Sequence, residues 1–538
     1  MTPASIDDAH EMHSTGCAVC DAGRNTGADG TAVAERLLSR RALLGGAAGA
    51  AAAIPLLSAA PAAAAPAPRG DRTLVLEPSW VLTYEKGDLQ LRSDHSVVVQ
   101  DGRIAAITAG RLRGHQNRIE MPGQLLIPGM ISAHTHVALG SSTRGLIESG
   151  RSFAIPGVRS MDLDDDDLDA LTAYNLAEIL RAGCTTQVEQ SLDLRHAQSY
   201  VRVARRWGVR GYPAPMLPNF ARVVTLRART TDQELFDSVP AQLKEIEAAL
   251  RWGRTVNGAE GGRIRPQMAP QGPETATPET LDAIFRAARQ LGNGIHTHLA
   301  TGAPESATVA RLWGKAPVKW IEDHGFYDVP LIGAHLGGWD VTGDAPFLAG
   351  KKNFTYAHCP SGAGAGAGSA GQPFIEALAA GINTAVALDS HSNDMIENAK
   401  LAVLYGRLRH SLISATSPVP VRRPTVWDMI KSVTVNPANG LGRADLGRIE
   451  VGAKADLTSI DVSGFLVGAG VAGPEPLNNL LYANGLHVRN VMTEGRLQIR
   501  DGRLVVDDER RVVARGGAVV RKLWARLRAE GWFTPTPR

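Results

Sequence analysis

The stretch "MISAHTHVAL", residues 130–139, decides the fold when it is taken with the segment that follows it. An apolar run that ends in a His-x-His pattern precedes the helical pattern "LDALTAYNLAEILRAG", residues 168–183. The same order returns several times, as in "GIHTHLA" before "ATVARLWG" and "NFTYAHCP" before "QPFIEALAAG". Repeated β-then-α units predict a parallel sheet, and about eight of them predict an α/β fold of the (β/α)8 TIM-barrel type over residues 131–440.

The sequence pattern of the two segments that flank this central region is different. Residues 73–130 and 441–510 consist of short apolar runs separated by turn residues, and "QDGRIAAI" near one end is almost repeated as "RDGRLVVD" near the other. This pattern predicts a small β-sandwich that both ends of the mature chain build together. Residues 511–538 are expected to form a C-terminal helix and tail.

Residues 1–69 are typical of a targeting extension and not of a folded domain. "SRRALLGG", residues 39–46, places Arg40 and Arg41 before an Ala/Gly-rich run that leads to small-residue sites near residues 60–65. This resembles a twin-arginine signal and predicts an exported protein without a stable membrane span after signal removal. The alternatives are a low-complexity linker or a membrane anchor, and a cytoplasmic protein if the signal is absent.

Bulk composition narrows the function classes. A net charge of +3 over 538 residues gives no reason to expect a nucleic-acid partner. Four cysteines in so long a chain are not a disulfide framework. The N-terminal group His10, His13, Cys17 and Cys20 has zinc-binding residue types, but an incidental cluster is the favoured interpretation. We expect a small-molecule substrate, and the composition allows a homo-oligomer.

Side chains that bind metals recur where the central apolar runs end. His134 and His136 are two residues apart on a predicted strand, so both point to the same side. His298, His335 and Asp389 end later runs, and the C-terminal ends of barrel strands meet at one face. Imidazole and carboxylate ligands together predict one divalent ion, with zinc first and iron or manganese also allowed.

The ordered motifs "IPGMISAHTH", "IHTHLA", "GAHLG", "AHCPSG", "NTAVALDS" and "LGRIEVGAKADL" resemble the amidohydrolase superfamily. The similarity is greatest to the branch of cytosine and adenosine-type deaminases and triazine hydrolases. The resemblance implies a metal-dependent hydrolase with a (β/α)8 barrel. Binuclear members use a carboxylated lysine, but the only lysine between His136 and His298 is Lys244 in a helical segment, which favours one ion.

By position, the resemblance also implies roles for single residues. Asp389 would take the proton of the attacking water, and His335 would orient that water or polarise the electrophile. His358 and Gln271 would contact the substrate. The implied metal ligands are His134, His136, His298, His335 and Asp389.

Two positions depart from the deaminase pattern. Thr301 stands three residues after His298, where the deaminase branch has a glutamate that protonates the leaving amine; Glu305 matches a different glutamate. Gln271 stands where relatives often have a histidine. Three explanations stay open for Thr301: a leaving group that needs little protonation, a proton shuttle through Asp389 or a histidine, or lost activity.

The sequence therefore predicts a metal-dependent hydrolase that acts on a non-peptide C–N bond, such as an amide, carbamate or amidine. The alternatives are a heterocycle deaminase and a binding barrel with impaired catalysis. His296 and Cys359 are interpreted as core residues, and His391 as a site residue or a loop residue. The acidic run "DLDDDDLD", residues 162–169, is interpreted as a helix cap.

Overall fold

The computed structural model describes residues 73–112, 117–146, 151, 154–362, 371–471 and 473–533. The predicted targeting extension of residues 1–69, with its twin-arginine motif and its His/Cys group, lies outside these residues. No helix in the described part of the chain has the length and apolar character needed to cross a membrane.

In the described part of the chain, seventeen strands form three sheets. In chain order they are β1 Leu74–Glu85, β2 Asp88–Ser93, β3 His95–Gln100, β4 Arg103–Ala109, β5 Arg118–Pro128, β6 Met130–Thr135, β7 Cys184–Ser191, β8 Arg210–Leu217, β9 Ala269–Pro270, β10 Ile295–Leu299, β11 Leu331–His335, β12 Phe354–His358, β13 Thr384–Val386, β14 Leu457–Asp461, β15 Val488–Thr493, β16 Arg496–Arg500 and β17 Arg503–Leu504.

Helices fill most of the connections between the central strands. In chain order they are α1 Gly140–Thr143, α2 Ala154–Ser160, α3 Asp165–Arg181, α4 Leu194–Trp207, α5 Phe220–Arg227, α6 Gln233–Asp237, α7 Val239–Val256, α8 Ala259–Gly262, α9 Pro278–Leu291, α10 Ala303–Trp313, α11 Pro317–Trp320, α12 Val341–Ala349, α13 Pro360–Gly362, α14 Phe374–Ala379, α15 Met395–Ile413, α16 Val426–Val433, α17 Val435–Gly440 and α18 Glu509–Ala529. Short 3-10 helices span Pro273–Thr275, Ile321–His324, Phe326–Asp328, Pro476–Leu481 and Gly485–His487.

The eight central strands lie in two four-stranded parallel sheets, β6-β7-β8-β9 and β10-β11-β12-β13. Isolated parallel bridges connect the sheets at both edges, Met268 to Ile295 on one side and Thr135 to Asp389 on the other. This connectivity gives a TIM-barrel-like α/β fold, as the alternation of strand and helix patterns predicts. The carboxyl ends of all eight strands consequently meet at one face.

The two ends of the described chain share one nine-stranded sheet, in the order β17-β16-β15-β14-β5-β1-β3-β4, with β2 paired to β1. Strand β14 pairs antiparallel with β5, so that Leu457 lies opposite Pro128. The similar sequences of the two flanking segments predict that both ends of the chain contribute strands to one β unit. The pairing pattern is one continuous sheet, and the predicted two-layer sandwich is not confirmed.

A buried ion network ties this sheet to the base of the barrel. Arg210 begins β8, and its guanidinium donates to Asp456 at 2.7 Å and to Glu494 at 3.0 Å. Arg263 and Lys454 both reach Glu494 at 2.8 Å. These cations hold the pKa of Glu494 at about 2 despite burial, which raises it. Breaking one partner would leave an uncompensated buried charge, so the network fixes the sheet against the barrel.

Near the C-terminus, helix α18 at Glu509–Ala529 packs on α3. The Asp164 side chain caps α3 by accepting from the Asp167 backbone N–H at 2.8 Å, so the acidic run is a helix cap as predicted. Lys522 of α18 pairs with Asp167. The Trp524 indole donates to the Ser142 carbonyl at 2.9 Å. Helix α18 thereby covers α1, the turn that follows the first His-x-His.

Candidate functional site

The first His-x-His lies at the carboxyl end of β6, where strand alternation turns both rings to one side. His134 and His136 are buried, and their ring centroids are 4.7 Å apart. His298, at the end of β10, brings its ring to 4.8 Å from that of His134. The ligand nitrogens of these three residues lie within 4.8 Å of one another. The structure therefore brings together the three predicted histidine ligands.

Backbone carbonyls set the orientation of two of these rings. His136 Nδ1 lies 2.7 Å from the Gln190 carbonyl, and His298 Nδ1 lies 2.7 Å from the Gln271 carbonyl. Because a carbonyl only accepts, each Nδ1 carries the proton and each Nε2 keeps its lone pair. The two Nε2 atoms are 3.3 Å apart. Two converging lone pairs held in this way fit a shared cation.

His134 completes the donor set. Within the described part of the chain neither of its ring nitrogens has a hydrogen-bond partner, although the ring is buried. Burial, followed by the neighbouring histidines, holds its pKa well below the ordinary value, so the ring is neutral near pH 7. A buried neutral imidazole without a partner is the state in which histidine binds a metal ion.

Asp389 lies beside this group because the backbone after β13 is tied to β6. The Asp389 N–H donates to the His134 carbonyl at 3.0 Å, and the His136 N–H donates to the Asp389 carbonyl at 3.1 Å. Asp389 Oδ1 then lies 3.7 Å from His136 Nε2 and 4.0 Å from His134 Nε2. Its φ of +59° is a left-handed value that a non-glycine residue adopts at a cost.

His335 ends β11 with a φ of +85°. Its ring is stacked on that of His298 with centroids 5.3 Å apart and planes inclined by 10°. Its donor nitrogen belongs to a second close group with Cys359 and Asp389. All five predicted ligands thus lie at one face of the barrel, and strained backbone recurs at the strand ends that carry them.

His358 ends β12 and is held by Gln372. Gln372 Oε1 accepts from the Cys359 N–H at 3.1 Å and lies 2.9 Å from His358 Nδ1. A backbone N–H can only donate, so this atom is the oxygen and His358 Nδ1 is the protonated nitrogen. Burial lowers the pKa of His358 to about 3. His358 therefore presents a neutral ring whose Nε2 accepts hydrogen bonds.

Gln271, the other predicted substrate contact, is fully buried. Its Oε1 accepts from the Thr275 hydroxyl at 3.2 Å, and its Nε2 lies 3.4 Å from His298 Nδ1. The amide group therefore packs against the ring of His298, while the Nδ1 proton of that ring is donated to the Gln271 backbone carbonyl. A direct contact with substrate stays a prediction.

The backbone after His298 is shaped by Glu305 and not by residue 301. The Glu305 carboxylate accepts from the Ala300 N–H at 2.8 Å and from the Thr301 N–H at 2.7 Å, and Ala300 has a φ of +47°. The Thr301 hydroxyl is buried and has no hydrogen-bond partner among the described residues. Glu305 thus holds the loop through backbone N–H groups.

Three residues that the sequence singled out are not members of the metal group, although the ring of His296 lies 5.9 Å from that of His134. His296 is buried, with Nδ1 at 3.1 Å from Gln267 Oε1, as expected for a core residue. Lys244 is exposed on α7, which agrees with its exclusion as a bridging ligand. His391 lines a separate cavity of about 540 Å³ between α3, α18 and the segment after Asp389.

Sequence reasoning missed Glu189, which ends β7. Its carboxyl accepts from the Val137 N–H at 2.9 Å and from the Ser191 hydroxyl at 3.0 Å, and so anchors the residue next to His136. Burial raises its pKa to about 8. The segment "CTTQVEQS" is mostly polar, so Glu189 does not stand out in the sequence as a polar residue after an apolar run does.

The family model described as "Amidohydrolase family" matches residues 125–497, well over half of the chain. The chain belongs to the amidohydrolase family. This confirms the predicted superfamily and the predicted class of enzyme, a hydrolase acting on C–N bonds other than peptide bonds.

Curated relatives within this family are named as deaminases. A 5'-deoxyadenosine deaminase of Methanosarcina mazei is 26% identical over 468 residues, which covers 84% of this chain and 99% of the relative. A 5-methylthioadenosine/S-adenosylhomocysteine deaminase of Moorella thermoacetica is 26% identical over 414 residues, 74% of this chain and 86% of the relative.

Solved structures show the same fold. A triazine hydrolase variant has a TM-score of 0.71 at 20% identity and covers 84% of this chain and 99% of its own. An adenosine deaminase of Xanthomonas campestris with bound zinc has a TM-score of 0.68 at 21% identity, covering 84% and 98%. The predicted divalent-metal cofactor is supported by such zinc-containing neighbours and by the histidine donor set.

Proposed function

We propose that this protein is a zinc-dependent hydrolase that releases an amine from a small heterocyclic substrate, in the manner of its deaminase relatives. The observation that carries the proposal is the convergence of His136 Nε2 and His298 Nε2 at 3.3 Å, with Oδ1 of Asp389 beside them. The names of the curated relatives support deamination over the broader C–N hydrolysis that the residues alone predict.

The residues that would hold the ion are His134, His136 and His298, with Asp389 beside them; His335 is the further predicted ligand. A bound divalent ion lowers the pKa of a coordinated water from 15.7 to about 7 and so supplies a nucleophile at neutral pH. Asp389 Oδ1 is placed to accept the proton that the attacking water gives up. Iron and manganese also suit these ligands.

His358 defines one property of the substrate. Its Nδ1 is engaged by Gln372, so its Nε2 is a hydrogen-bond acceptor for whatever enters the site. The pKa of about 3 keeps this ring neutral through the physiological range. A substrate that offers an N–H or O–H toward β12 fits better than one that offers a second acceptor.

Thr301 limits the leaving group. A threonine hydroxyl does not ionise near neutral pH, so it cannot protonate an amine as a carboxylic acid does. We propose that Asp389 or a site histidine returns the proton, or that the amine leaves easily. General acid catalysis contributes roughly 10²–10⁴-fold, so the reaction is expected to be slow on substrates with poor leaving groups.

The test is ammonia release by the zinc-loaded protein from a panel of adenosine-type nucleosides, cytosine-type bases, amides and carbamates. Ammonia from the heterocycles supports deamination, whereas release of other amines supports only the broader hydrolase. Turnover of no compound by zinc-loaded protein contradicts the proposal and favours a binding barrel.

A Thr301→Glu variant measured on the same panel tests the acid argument. We expect ammonia release from heterocycles to rise by about tenfold or more, because a carboxylic acid is restored near the leaving group. Thr308→Glu, on the following helix, is the matched control for added charge. An unchanged rate in Thr301→Glu would contradict the idea that the missing acid limits catalysis.

Two further expectations belong here as proposals. We propose that the nine-stranded sheet curls into a sandwich, since Leu76, Val97, Met121, Leu457 and Met492 from five of its strands share one buried cluster. We also propose that the protein is exported through the Arg40-Arg41 motif. Replacing both arginines by lysine should retain the protein inside the cell, and unchanged export would contradict this.

A further inference from the structure

Helix α15, Met395–Ile413, buries one face against the barrel and exposes an apolar ridge on the other. The whole helix is described, and its exposed residues are Leu404, Leu408, Ser411 and Leu412, none of which is charged. The three leucines, spaced by four residues, expose 43%, 59% and 69% of their surface and form one leucine ridge. A helix that is apolar on both faces is typical of a buried element, so this ridge predicts a covering surface.

Other long helices on the outside of the barrel expose charged residues. Helix α4 exposes Arg202 and Arg206, and α7 exposes Lys244 and Glu247. Helix α7 also exposes Leu243, but as a single leucine beside Lys244. Single exposed leucines are common on soluble proteins, whereas an uninterrupted apolar ridge marks a contact surface.

The cationic side chains next to the ridge bond to their own chain. Arg407 Nε donates to a backbone carbonyl of the loop that follows α15 at 3.1 Å, and Arg409 Nε donates to Glu376 at 2.9 Å. Lys400, one turn before the first leucine of the ridge, donates to the Ala483 carbonyl at 3.0 Å. The ridge is therefore neutral, so it does not attract a charged partner and does not repel a second copy of itself.

The apolar surface continues onto the loop that carries Tyr482 and Leu486. The contact of Lys400 and a 2.6 Å hydrogen bond from the Gly485 N–H to Asp394 hold this loop beside the first turns of α15. Tyr482 is 67% exposed and Leu486 is 75% exposed. With the leucine ridge they expose roughly 450 Å² of apolar surface. A stable dimer buries about 800 Å² per partner, slightly more than half of it apolar, so the patch has the size that a dimer needs.

We propose that the leucine ridge is the interface of a homodimer, in which two copies of α15 pack antiparallel about a two-fold axis near Leu408. A two-fold interface uses the same patch on both subunits. Because the ridge takes equal four-residue steps on either side of Leu408, this pairing places Leu404 against Leu412 of the partner subunit. The ridge is thus complementary to itself, and the dimer does not depend on which reaction the metal site catalyses.

The first test is the mass of the full chain in solution. Sedimentation equilibrium of the parent should give twice the 57.0 kDa mass of one chain. Leu408→Glu places two like charges together at the axis and should raise the dissociation constant of the dimer by at least about 100-fold. Leu243→Glu, at the exposed leucine of α7, is the matched control and should leave the dimer intact. Far-UV circular dichroism checks that both variants fold.

A pair of opposite charges tests the antiparallel arrangement. Leu404→Glu and Leu412→Lys should each weaken the dimer when made alone. Combined in one chain they should strengthen it by at least about tenfold relative to either single variant, because each new carboxylate then faces a new ammonium group of the partner subunit. A different protein bound at the ridge would not produce this rescue.

Three results would overturn the proposal. A monomeric parent would show that another surface covers the ridge, such as the N-terminal extension of residues 1–69 or a different protein. A dimer that Leu408→Glu leaves unchanged would place the interface elsewhere on the molecule. A combined variant that is no stronger than the single variants would exclude the antiparallel pairing about Leu408.

Discussion

The tripeptide His-Thr-His occurs twice, at the end of β6 at residues 134–136 and in β10 at residues 296–298. The two copies differ in how far their side chains lie from the carboxyl end of the strand. In β6 both histidines flank Asp389, through backbone bonds of 3.0 and 3.1 Å. In β10 only His298 lies in the metal-binding group with His134 and His136. His296 lies two residues earlier in the strand, where its backbone N–H donates to the Met268 carbonyl and its ring donates to Gln267.

The two copies also differ in what supports them. Glu189, a carboxyl with a raised pKa, holds the residue after the first copy. Amide side chains support the second copy, Gln267 at His296 and Gln271 at His298. Identical side chains at the same spacing therefore acquire different roles from strand register and neighbours.

The largest difference is expected between His298→Ala and His296→Ala, two buried histidines of one strand. His298→Ala should lower zinc affinity by more than the 10–100-fold typical of outer-sphere changes, because it removes a ligand. His296→Ala should keep one zinc per chain and lower the free energy of unfolding by about 2–4 kcal/mol. Zinc content after dialysis against a weak chelator distinguishes the two variants. Equal loss of zinc in both would show that His296 is a metal ligand like His298.

Glu189→Gln should change the pH dependence of folding around the first copy. The folded carboxyl keeps its proton up to a pH of about 8, while the unfolded one releases it near 4.5, so the parent loses stability as pH rises between these values. The variant does not ionise and should gain stability relative to the parent from pH 5 to pH 8, with an upper limit of about 5 kcal/mol.

Urea unfolding of both zinc-free proteins at the two pH values measures this effect. The Gln oxygen can still accept from the Val137 N–H, so loss of that contact does not confound the comparison. A stability difference that stays the same at pH 5 and pH 8 would show that Glu189 ionises normally in the folded protein.

The smallest expected effect is a difference in zinc affinity between variants of Gln271 and Gln267, the two amide side chains beside the second His-Thr-His. Gln271→Ala removes the contact to the ring of His298 but keeps the backbone carbonyl, so zinc affinity should fall by about tenfold. Gln267→Ala, beside His296, should change it by less than about twofold. Chelator competition gives both values, and the reverse order would place His296 in the metal site.

The sequence was sufficient for the TIM-barrel-like α/β fold and for the convergence of His134, His136, His298 and Asp389, because strand alternation and strand-end position follow from local pattern. It also predicted His296 as a core residue, but the contact of its ring with Gln267 depends on the register between neighbouring strands and could not be predicted. Cys359 shows a second limit: burial indicates a core residue, but only the fold shows that His335 and Asp389 lie beside its thiol. The nine-stranded sheet shows a third limit of the sequence. Its continuous strand order depends on pairing between strands that are far apart in the sequence.

The shared nine-stranded sheet has a consequence for synthesis. Strand β5 emerges from the ribosome early, yet its partner β14 lies beyond the whole barrel, and Arg103 donates to a carbonyl 349 positions later, at Gly452. The edge of β5 therefore stays exposed while the barrel is translated, and an unpaired edge invites aggregation. A chaperone that shields the nascent strands until Leu457 has emerged would be expected to raise the yield of soluble protein.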